Sequence, residues 1–279
     1  MKTYGFGIIG CGMIADFHSA AIAELKNGKL VAVSSRNEAN AKRVAERYNV
    51  ARYADYNEML KRDDLDIVCV CTPSGAHRDP AVAAAKAGKH IIVEKPLEIT
   101  LDRCDAIIQA CDDAGVRLCA IFNSRFSEGS QVVKRTIDSG RFGVLTLGDA
   151  YIKWYRTQAY YDSGGWRGTW ALDGGGALMN QSIHAIDLLQ HFMGPVKAVQ
   201  AFTDTRAHER IEVEDVAVAT LRFENGALGV IEGTTAAYPG LLKKIEISGS
   251  KGTVILEEED IIKWQFDPEL PEDPEVHQK

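Results

Sequence analysis

The strongest constraint on the fold lies in the first fifteen residues, where an apolar segment runs directly into a glycine turn. The segment Tyr4 to Ile9 reads as a short strand, and the pattern GxGxxA at residues 10–15 opens a stretch with helical apolar spacing. Gly10 makes a tight turn, Gly12 lets the backbone approach a pyrophosphate, and Ala15 allows close helix packing. The pattern predicts a dinucleotide site at a helix N-terminus, and the alternative is an ordinary strand, turn and helix.

The end of the second predicted strand bears on which dinucleotide is bound. Leu30 to Val33 forms that strand, and Ser35 and Arg36 follow it without an acidic residue. An acid here accepts hydrogen bonds from the ribose of NAD, whereas an arginine can pair with the 2′-phosphate of NADP. The sequence therefore favours NADP(H), with NAD(H) as the alternative if Arg36 only stacks on adenine or faces solvent.

The remaining pattern predicts two domains. Strands and helices alternate up to a strand at Leu118 to Phe122, which is typical of an α/β domain with a doubly wound parallel sheet, a Rossmann domain. Beyond residue 140 several strands separated by turn signals predict an α+β domain with helices and a mostly antiparallel, open sheet. We expect a dinucleotide-binding domain over residues 1–123 and a substrate-binding and oligomerisation domain over residues 124–279.

Two further segments leave parallel strands at the edge where open α/β sheets bind ligands. Thr72 and Pro73 begin a turn that leads to His77, and this placement predicts contact with the cofactor. The alternative is a turn followed by a helix, with His77 exposed in its first turn. Glu94 and Lys95 end the apolar run from Ile91, and Pro96 biases the lysine toward an extended backbone. The alternative for Glu94 and Lys95 is an ion pair at a strand end.

A second region of chemical interest precedes a helix predicted from about Leu178 to Phe192. Its helix places four polar residues in one stripe at spacings of four, three and four: Asn180, His184, Asp187 and His191. The glycines at 174–176 would let the backbone approach a ligand closely, which favours a site at Asn180 and His184. Upstream, Arg167 between Trp166 and Trp170 could hold a carboxylate or phosphate while the indoles cover a sugar, or belong to a packed aromatic loop.

Composition limits the kind of partner. The formal charge is −7 at pH 7, without a basic run, which argues against nucleic acid or an anionic membrane. No segment approaches the roughly 20 apolar residues of a membrane span. The six cysteines show no metal-ligand spacing and read as reduced, with Cys11 in the glycine turn as a thiol open to alkylation. We expect a cytoplasmic protein with a small-molecule substrate and no bound metal.

Together these residues resemble the glucose-fructose oxidoreductase and inositol dehydrogenase (Gfo/Idh/MocA) family. The resemblance rests on the GxGxxA turn at Gly10, on Thr72-Pro73, on Glu94-Lys95-Pro96, and on His184 in a helix after a glycine run. It covers nearly the whole chain and implies a nicotinamide across the edge of the parallel sheet. It also implies homodimers or homotetramers formed through the open C-terminal sheet.

The resemblance also implies residue roles. Lys95 would lie beside the nicotinamide and the reacting hydroxyl, and His184 would accept the proton. From the residues themselves, we expect Asn180, Arg167, Trp166 and Asp187 to contact substrate. Many members carry aspartate where this chain has Asn180, and the chain ends sooner than relatives do, in the acidic segment from Glu257 to Glu275, so a terminal helix is expected to be missing. The residues expected to contact the cofactor are Gly10, Gly12, Met13, Ile14, Ser35, Arg36, Thr72, Pro73, His77, Glu94, Lys95 and Asn123.

The expected activity is hydride transfer between NAD(P) and a secondary hydroxyl of a sugar, inositol or nucleotide sugar. The phrases at residues 72–75 and 174–181 look most like the branch that oxidises nucleotide-linked sugar acids. An NAD-dependent glycosidase of the same fold and a non-catalytic NADP(H)-binding sensor are the alternatives.

Overall fold

The computed structural model describes residues 2–271 and residue 273, which divide into two compact units. The first unit runs to Ile121 and also includes the segment Ala171–Gly174. The second contains Phe122–Trp170 and the described residues from Gly175 onward. A single boundary at residue 123 does not describe this division, because Ala171–Gly174 returns to the first unit. The end of the acidic segment, residue 272 and residues 274 and 275, lies outside the described residues.

The described part of the first unit is built on six parallel strands. The sheet order is β3-β2-β1-β4-β5-β6, so the strand order reverses between β1 and β4. Such a reversal opens a crevice at the carboxyl ends of the strands, where open α/β sheets bind ligands. The strands are β1 (Tyr4–Ile9), β2 (Gly28–Ser34), β3 (Ala51–Tyr53), β4 (Ile67–Val70), β5 (His90–Val93) and β6 (Leu118–Ala120).

Helices pack on both faces of this sheet. Ile8 and Val33 belong to the apolar core on one face, whereas Val70 and Val93 belong to the core on the other. Burial on both faces explains why these strands are apolar without alternation. The helices are α1 (Met13–Glu24), α2 (Glu38–Tyr48), α3 (Tyr56–Leu60), α4 (Arg78–Lys86) and α5 (Leu101–Ala114). The Rossmann architecture predicted from the sequence is confirmed.

The second unit contains a mixed sheet of order β13-β12-β11-β7-β10-β9-β8. Strands β7 and β10 pair in parallel and the other pairs are antiparallel, which confirms the mostly antiparallel sheet. The strands are β7 (Leu145–Lys153), β8 (Val196–Asp204), β9 (Val216–Phe223), β10 (Leu228–Thr234), β11 (Lys244–Gly249), β12 (Gly252–Glu257) and β13 (Asp260–Phe266). The helices are α6 (Glu128–Asp138), α7 (Gln158–Asp162) and α8 (Ile183–Met193).

The two faces of the mixed sheet differ. Helix α8 covers one face, where Leu188 and Met193 join the core, and Gly148 on β7 leaves room for the Met193 side chain. On β9 the buried Leu221 and Phe223 alternate with residues that point to the opposite face. That opposite face carries exposed apolar side chains: Leu147, Phe202, Val218 and Leu228.

The helix predicted from Leu178 to Phe192 is not α-helical throughout. Residues Ala177–Ser182 form a π-helical turn, and α8 begins only at Ile183. Because a π turn contains more residues than an α turn, the predicted stripe keeps its α-helical spacing only from His184 onward. No helix among the described residues is long and apolar enough to cross a membrane.

Candidate functional site

The glycine turn fits a dinucleotide phosphate. Gly10 has φ of 96°, and a Cβ on it would lie 2.5 Å from the carbonyl oxygen of Cys71, so only glycine is tolerated there. A Cβ on Gly12 would point into open space, and no described side chain caps the N-terminus of α1. The first N–H groups of α1 can therefore bind an anion.

The thiol in this turn is shielded from solvent. Cys11 is buried, and its Sγ lies 3.7 Å from the carbonyl oxygen of Ser34. Burial raises the pKa of the Cys11 thiol to about 11, and the thiolate is the reactive form. The expectation that Cys11 is open to alkylation is wrong, because its side chain packs into the core behind the glycine turn.

Ser35 and Arg36, which were predicted to select between NAD and NADP, follow the end of β2. Arg36 is exposed and has no carboxylate partner among the described residues, whereas Ser35 is half-buried. The hydroxyl of Ser35 accepts a hydrogen bond from the Asn37 N–H at 3.2 Å. This end of the strand thus offers one cation and no anion to a bound nucleotide.

His77 lies inside the first unit rather than on its surface. Its side chain is buried, with Nδ1 2.9 Å from the carbonyl oxygen of Pro96 and Nε2 2.9 Å from that of Thr72. The hydroxyl of Thr72 donates to the carbonyl oxygen of Ala76 at 2.9 Å. His77 was expected to contact the cofactor, but its ring nitrogens face the protein backbone and tie together the two loops that flank the crevice.

The carboxylate of Glu94 connects two other elements of the same edge. Its Oε1 lies 2.8 Å from His18 Nε2 on α1, and its Oε2 accepts a hydrogen bond from the Lys95 N–H at 3.1 Å. Burial by itself raises the pKa of Glu94, but the bonds from His18 and Lys95 outweigh it and lower the pKa below its ordinary value. The sequence reasoning missed His18, whose only signal is its position on the helix after the glycine turn.

Lys95 follows β5 directly and is joined to Pro96 by a cis peptide bond. Burial lowers the pKa of the Lys95 ammonium, while the charges of Glu94 and Asp173 act in the opposite direction. Asp173 is 1% exposed and belongs to the segment Ala171–Gly174 of the first unit. The sequence reasoning also missed Asp173, because nothing local indicates that it faces a lysine 78 positions earlier.

Glycines allow the segment Ala171–Gly174 to pack closely against the rest of the first unit. The Gly75 N–H donates to the carbonyl oxygen of Leu172 at 2.9 Å, and a Cβ on Gly75 would lie 2.4 Å from the carbonyl oxygen of Ala171. Gly174 has φ of 80°, and a Cβ on it would meet Ile99. The close approaches at these glycines are therefore made to protein, and they hold Asp173 in place.

In the second unit, a glutamate caps the start of the π turn. The carboxylate of Glu214 accepts hydrogen bonds from the N–H groups of Gly176 and Leu178, both at 2.9 Å. A Cβ on Gly176 would lie only 1.8 Å from the Glu214 carbonyl oxygen. The last glycine of the run thus serves this backbone contact, whereas the sequence had suggested approach to a ligand.

The polar residues of the following helix are held in different ways. His184 is half-buried, and its ring meets Phe122 edge-on with centroids 6.2 Å apart. The Oδ1 of Asn180 accepts a hydrogen bond from Gln181 Nε2 at 3.1 Å, which orients its amide. Asp187 binds Arg125 through both carboxylate oxygens, at 2.6 and 2.7 Å. Asp187 thus holds Arg125, and the substrate contact expected of Asp187 stays a prediction.

Arg167 lies among aromatic rings, as its sequence context indicated. Its guanidinium carbon is 4.7 Å from the ring centroid of Tyr160 and 5.0 Å from that of Trp166, and Nη1 donates to Ser163 Oγ at 3.0 Å. Trp166 thus covers the arginine. Trp170 is 56% exposed, and its backbone N–H donates to Glu212 Oε2 at 2.9 Å.

Comparison with known proteins covers nearly the whole chain. Residues 4–122 match the oxidoreductase family with an NAD-binding Rossmann fold, and residues 130–255 match the Gfo/Idh/MocA C-terminal domain. The myo-inositol 2-dehydrogenase of Thermotoga maritima is 30% identical over 253 residues, which cover 89% of this chain and 73% of that protein.

Solved structures show the same likeness. The WlbA dehydrogenase from Bordetella pertussis, in complex with NADH and UDP-GlcNAcA, is 38% identical with a TM-score of 0.93, over 98% of this chain and 84% of that one. The Chromobacterium violaceum WlbA dehydrogenase, in complex with the same two molecules, is 35% identical with a TM-score of 0.92, over 99% and 79%. The resemblance seen in the motifs is confirmed: the chain belongs to the Gfo/Idh/MocA family of NAD(P)-dependent oxidoreductases.

Proposed function

We propose that this protein oxidises a secondary hydroxyl of a nucleotide-linked sugar acid, using the residues that follow β5 and those that begin α8. The observation that carries the proposal is Lys95, a half-buried ammonium that follows the carboxyl end of β5, the strand that pairs with β4. Buried lysines with a lowered pKa are typical of catalytic sites. The opposing charges of Glu94 and Asp173 keep a proton on Lys95 over a wider pH range.

In the proposed mechanism the two residues divide the work on the hydroxyl. A bound NAD(P)⁺ would supply the hydride acceptor for the carbinol carbon. His184 takes the hydroxyl proton, because an imidazole is better matched to neutral pH than an ammonium group is. Lys95 donates a hydrogen bond to the substrate oxygen and stabilises its developing negative charge. The products are a ketone, reduced cofactor and a protonated His184.

The WlbA structures and Arg167 support the choice of a sugar acid. The two WlbA dehydrogenases contain UDP-GlcNAcA, a nucleotide-linked sugar acid, in their solved complexes. Arg167 offers this chain a guanidinium backed by aromatic rings, a group suited to a carboxylate or phosphate. Asn180 completes the proposed substrate contacts as a donor to a sugar hydroxyl.

We also propose NADP(H) as the preferred cofactor. The support is Arg36, which is exposed, lacks a carboxylate partner among the described residues, and follows a strand end without an acid. The WlbA relatives were solved with NADH, so cofactor selectivity is the property on which this chain and those relatives are expected to differ. The proposed cofactor contacts are those predicted from the sequence, with His77 reassigned to positioning.

The open face of the mixed sheet supports a homodimer or homotetramer. Phe202 is 80% exposed and Val218, its neighbour on the next strand, is 46% exposed. Apolar side chains that share one exposed face favour association with a second copy of the sheet. The unpaired thiols of all six cysteines support a reducing compartment, which we propose is the cytoplasm.

Replacing Lys95 tests the proposed chemistry. Lys95→Ala should lower kcat about 10²- to 10⁴-fold, because the developing charge on oxygen loses its stabilising cation, while cofactor binding stays largely intact. Reduced cofactor is followed by absorbance with nucleotide-linked sugar acids, free sugars and inositols. Lys61→Ala is the control, because Lys61 is exposed and directly follows α3. Retained turnover in Lys95→Ala would exclude the assignment, and glycoside cleavage without net cofactor reduction would favour a glycosidase.

Replacing His18 tests the positioning of Lys95 through Glu94. His18→Ala should lower the free energy of unfolding by about 1–3 kcal/mol at pH 7, because a buried carboxylate loses its donor. The pKa of Glu94 in the folded protein lies below its ordinary value of 4.5, so the ionised carboxylate stabilises the fold above that value and the effect is lost as pH falls further. Urea unfolding should therefore show a difference that shrinks below pH 4.5.

His18→Gln, which can still donate a hydrogen bond, serves as the matched variant and should recover most of the loss. An equal difference between wild type and His18→Ala at every pH would show that the ring only fills space.

Replacing Arg36 tests cofactor choice. Arg36→Asp should lower the ratio of kcat/KM with NADP to that with NAD about tenfold to 100-fold, because an acid repels the 2′-phosphate and accepts ribose hydroxyls. Initial rates with both cofactors give this ratio. Arg117→Asp, at an exposed arginine that precedes β6, applies the same charge change elsewhere in the unit and should leave the ratio unchanged. An unaltered ratio in Arg36→Asp contradicts the proposal.

Replacing Phe202 tests the oligomer. Phe202→Glu should produce a monomer in light scattering, because an apolar interface would have to bury a carboxylate. Phe126→Glu, at a phenylalanine that is 79% exposed but lies outside the sheet, should keep the mass of the wild type. A wild-type monomer, or a Phe202→Glu protein of unchanged mass, would refute association through this face.

A further inference from the structure

Two arginines of the second unit surround one tyrosine ring. The guanidinium carbon of Arg167 lies 4.7 Å from the centroid of Tyr160, and that of Arg156 lies 5.5 Å from the same centroid. Neither arginine forms an ion pair with a carboxylate within the described part of the chain. Both guanidinium groups therefore lie within 5.5 Å of one ring centroid without a carboxylate partner, and a bound anion would supply the missing counter-charge.

The backbone of Arg156 is fixed by buried groups. Its N–H donates to the carbonyl oxygen of Thr235 at 2.8 Å, and its own carbonyl oxygen lies 2.8 Å from His208 Nε2. The other ring nitrogen of His208 lies 2.9 Å from a carboxylate oxygen of Asp215, which is fully buried. The backbone of Arg156 is therefore held in one conformation. A side chain on a fixed backbone loses less conformational entropy when it binds a ligand.

The side chain of Arg156 is linked to the proposed substrate residues. Its Nη2 donates to Gln181 Oε1 at 2.8 Å. The amide nitrogen of Gln181 in turn donates to the Tyr160 hydroxyl at 2.8 Å and to Asn180 Oδ1 at 3.1 Å. Gln181 thus connects Arg156 to the tyrosine that both arginines surround and to Asn180.

Arg167 retains unused hydrogen-bonding capacity. Its Nη1 donates to Ser163 Oγ, but its Nε is buried and has no partner among the described residues. A buried donor without an acceptor costs free energy. Since Nε and Nη2 of one guanidinium bind the two oxygens of a carboxylate or phosphate side by side, an oxyanion is the ligand that would satisfy this group.

We propose that Arg156 and Arg167 form one receptor for an oxyanion of the substrate, with Arg156 as a specificity-determining residue. The inference rests on the proposed function and deepens it, because the receptor selects substrates that carry an acidic group and disfavours neutral sugars and inositols. Carboxylates and phosphates share the required chemistry. Through Gln181, the anion on Arg156 also fixes the amide of Asn180.

The test measures binding without turnover. The full chain is titrated with UDP, with glucuronate and with glucose, and binding is followed by tryptophan fluorescence, because Trp154 and Trp166 stack on the two arginines. Arg156→Gln and Arg167→Gln should each weaken binding of at least one anion about tenfold to 100-fold. Loss confined to UDP identifies a phosphate, and loss confined to glucuronate identifies the sugar carboxylate. Arg135→Gln, at an exposed arginine of α6, should change neither.

The contribution of the planar guanidinium group of Arg156 can also be separated from that of its charge. Arg156→Lys keeps the charge but not the fork, and should weaken anion binding less than Arg156→Gln does; it also serves if Arg156→Gln does not fold. Unchanged affinity for both anions in the folded Arg156 variants would overturn the receptor. Absence of turnover on every sugar would overturn the proposed function but leave the binding result intact, so the two failures are distinguishable.

Discussion

The carboxyl edge of the parallel sheet depends on the hydrogen bonds of one buried carboxylate, that of Glu94. One oxygen faces His18 on the helix of the glycine turn, and the other accepts the N–H of Lys95. Removing either partner would leave a buried charge with fewer hydrogen bonds, so helix α1 and Lys95 are held in one arrangement. Groups held in this way need no reorganisation when charge develops on a substrate.

Polar side chains also hold backbone segments in place elsewhere at this edge of the sheet and in the second unit. His77 joins the backbone of Thr72 to that of Pro96, so the two loops beside the crevice share one buried ring. Glu214 holds the start of the π turn. In each case one polar side chain forms hydrogen bonds with backbone groups and limits the motion of the segments that carry them.

Local patterns in the sequence were sufficient for the architecture. Hydrophobic runs, turn residues and the glycine pattern predict the parallel sheet and the mixed sheet, because burial and backbone conformation are encoded by neighbouring residues. Strand β6 ends at Ala120, two residues earlier than predicted. The π turn was not predicted, since it depends on Glu214, which lies far along the chain from Gly176.

Contacts between distant residues account for what the sequence did not reveal about the site. The pairing of His18 with Glu94 joins residues 76 positions apart, and that of Arg125 with Asp187 joins residues 62 apart. Lys95 and His184 were identified as candidates from their positions and family motif, yet the charge that acts on Lys95 from Asp173 required the fold. Sequence periodicity assigns a face, but it does not show which partner lies on that face.

The return of Ala171–Gly174 to the first unit has a consequence for how the chain is assembled. During synthesis, the Rossmann sheet can form once residue 121 has emerged, but Asp173 and the Leu172 carbonyl that binds Gly75 are made only later. The nucleotide-binding half can therefore fold before the acidic neighbour of its lysine exists. A fragment cut at the end of β6 would keep the glycine turn yet lack that carboxylate, so the charge environment of Lys95 is a property of the longer chain.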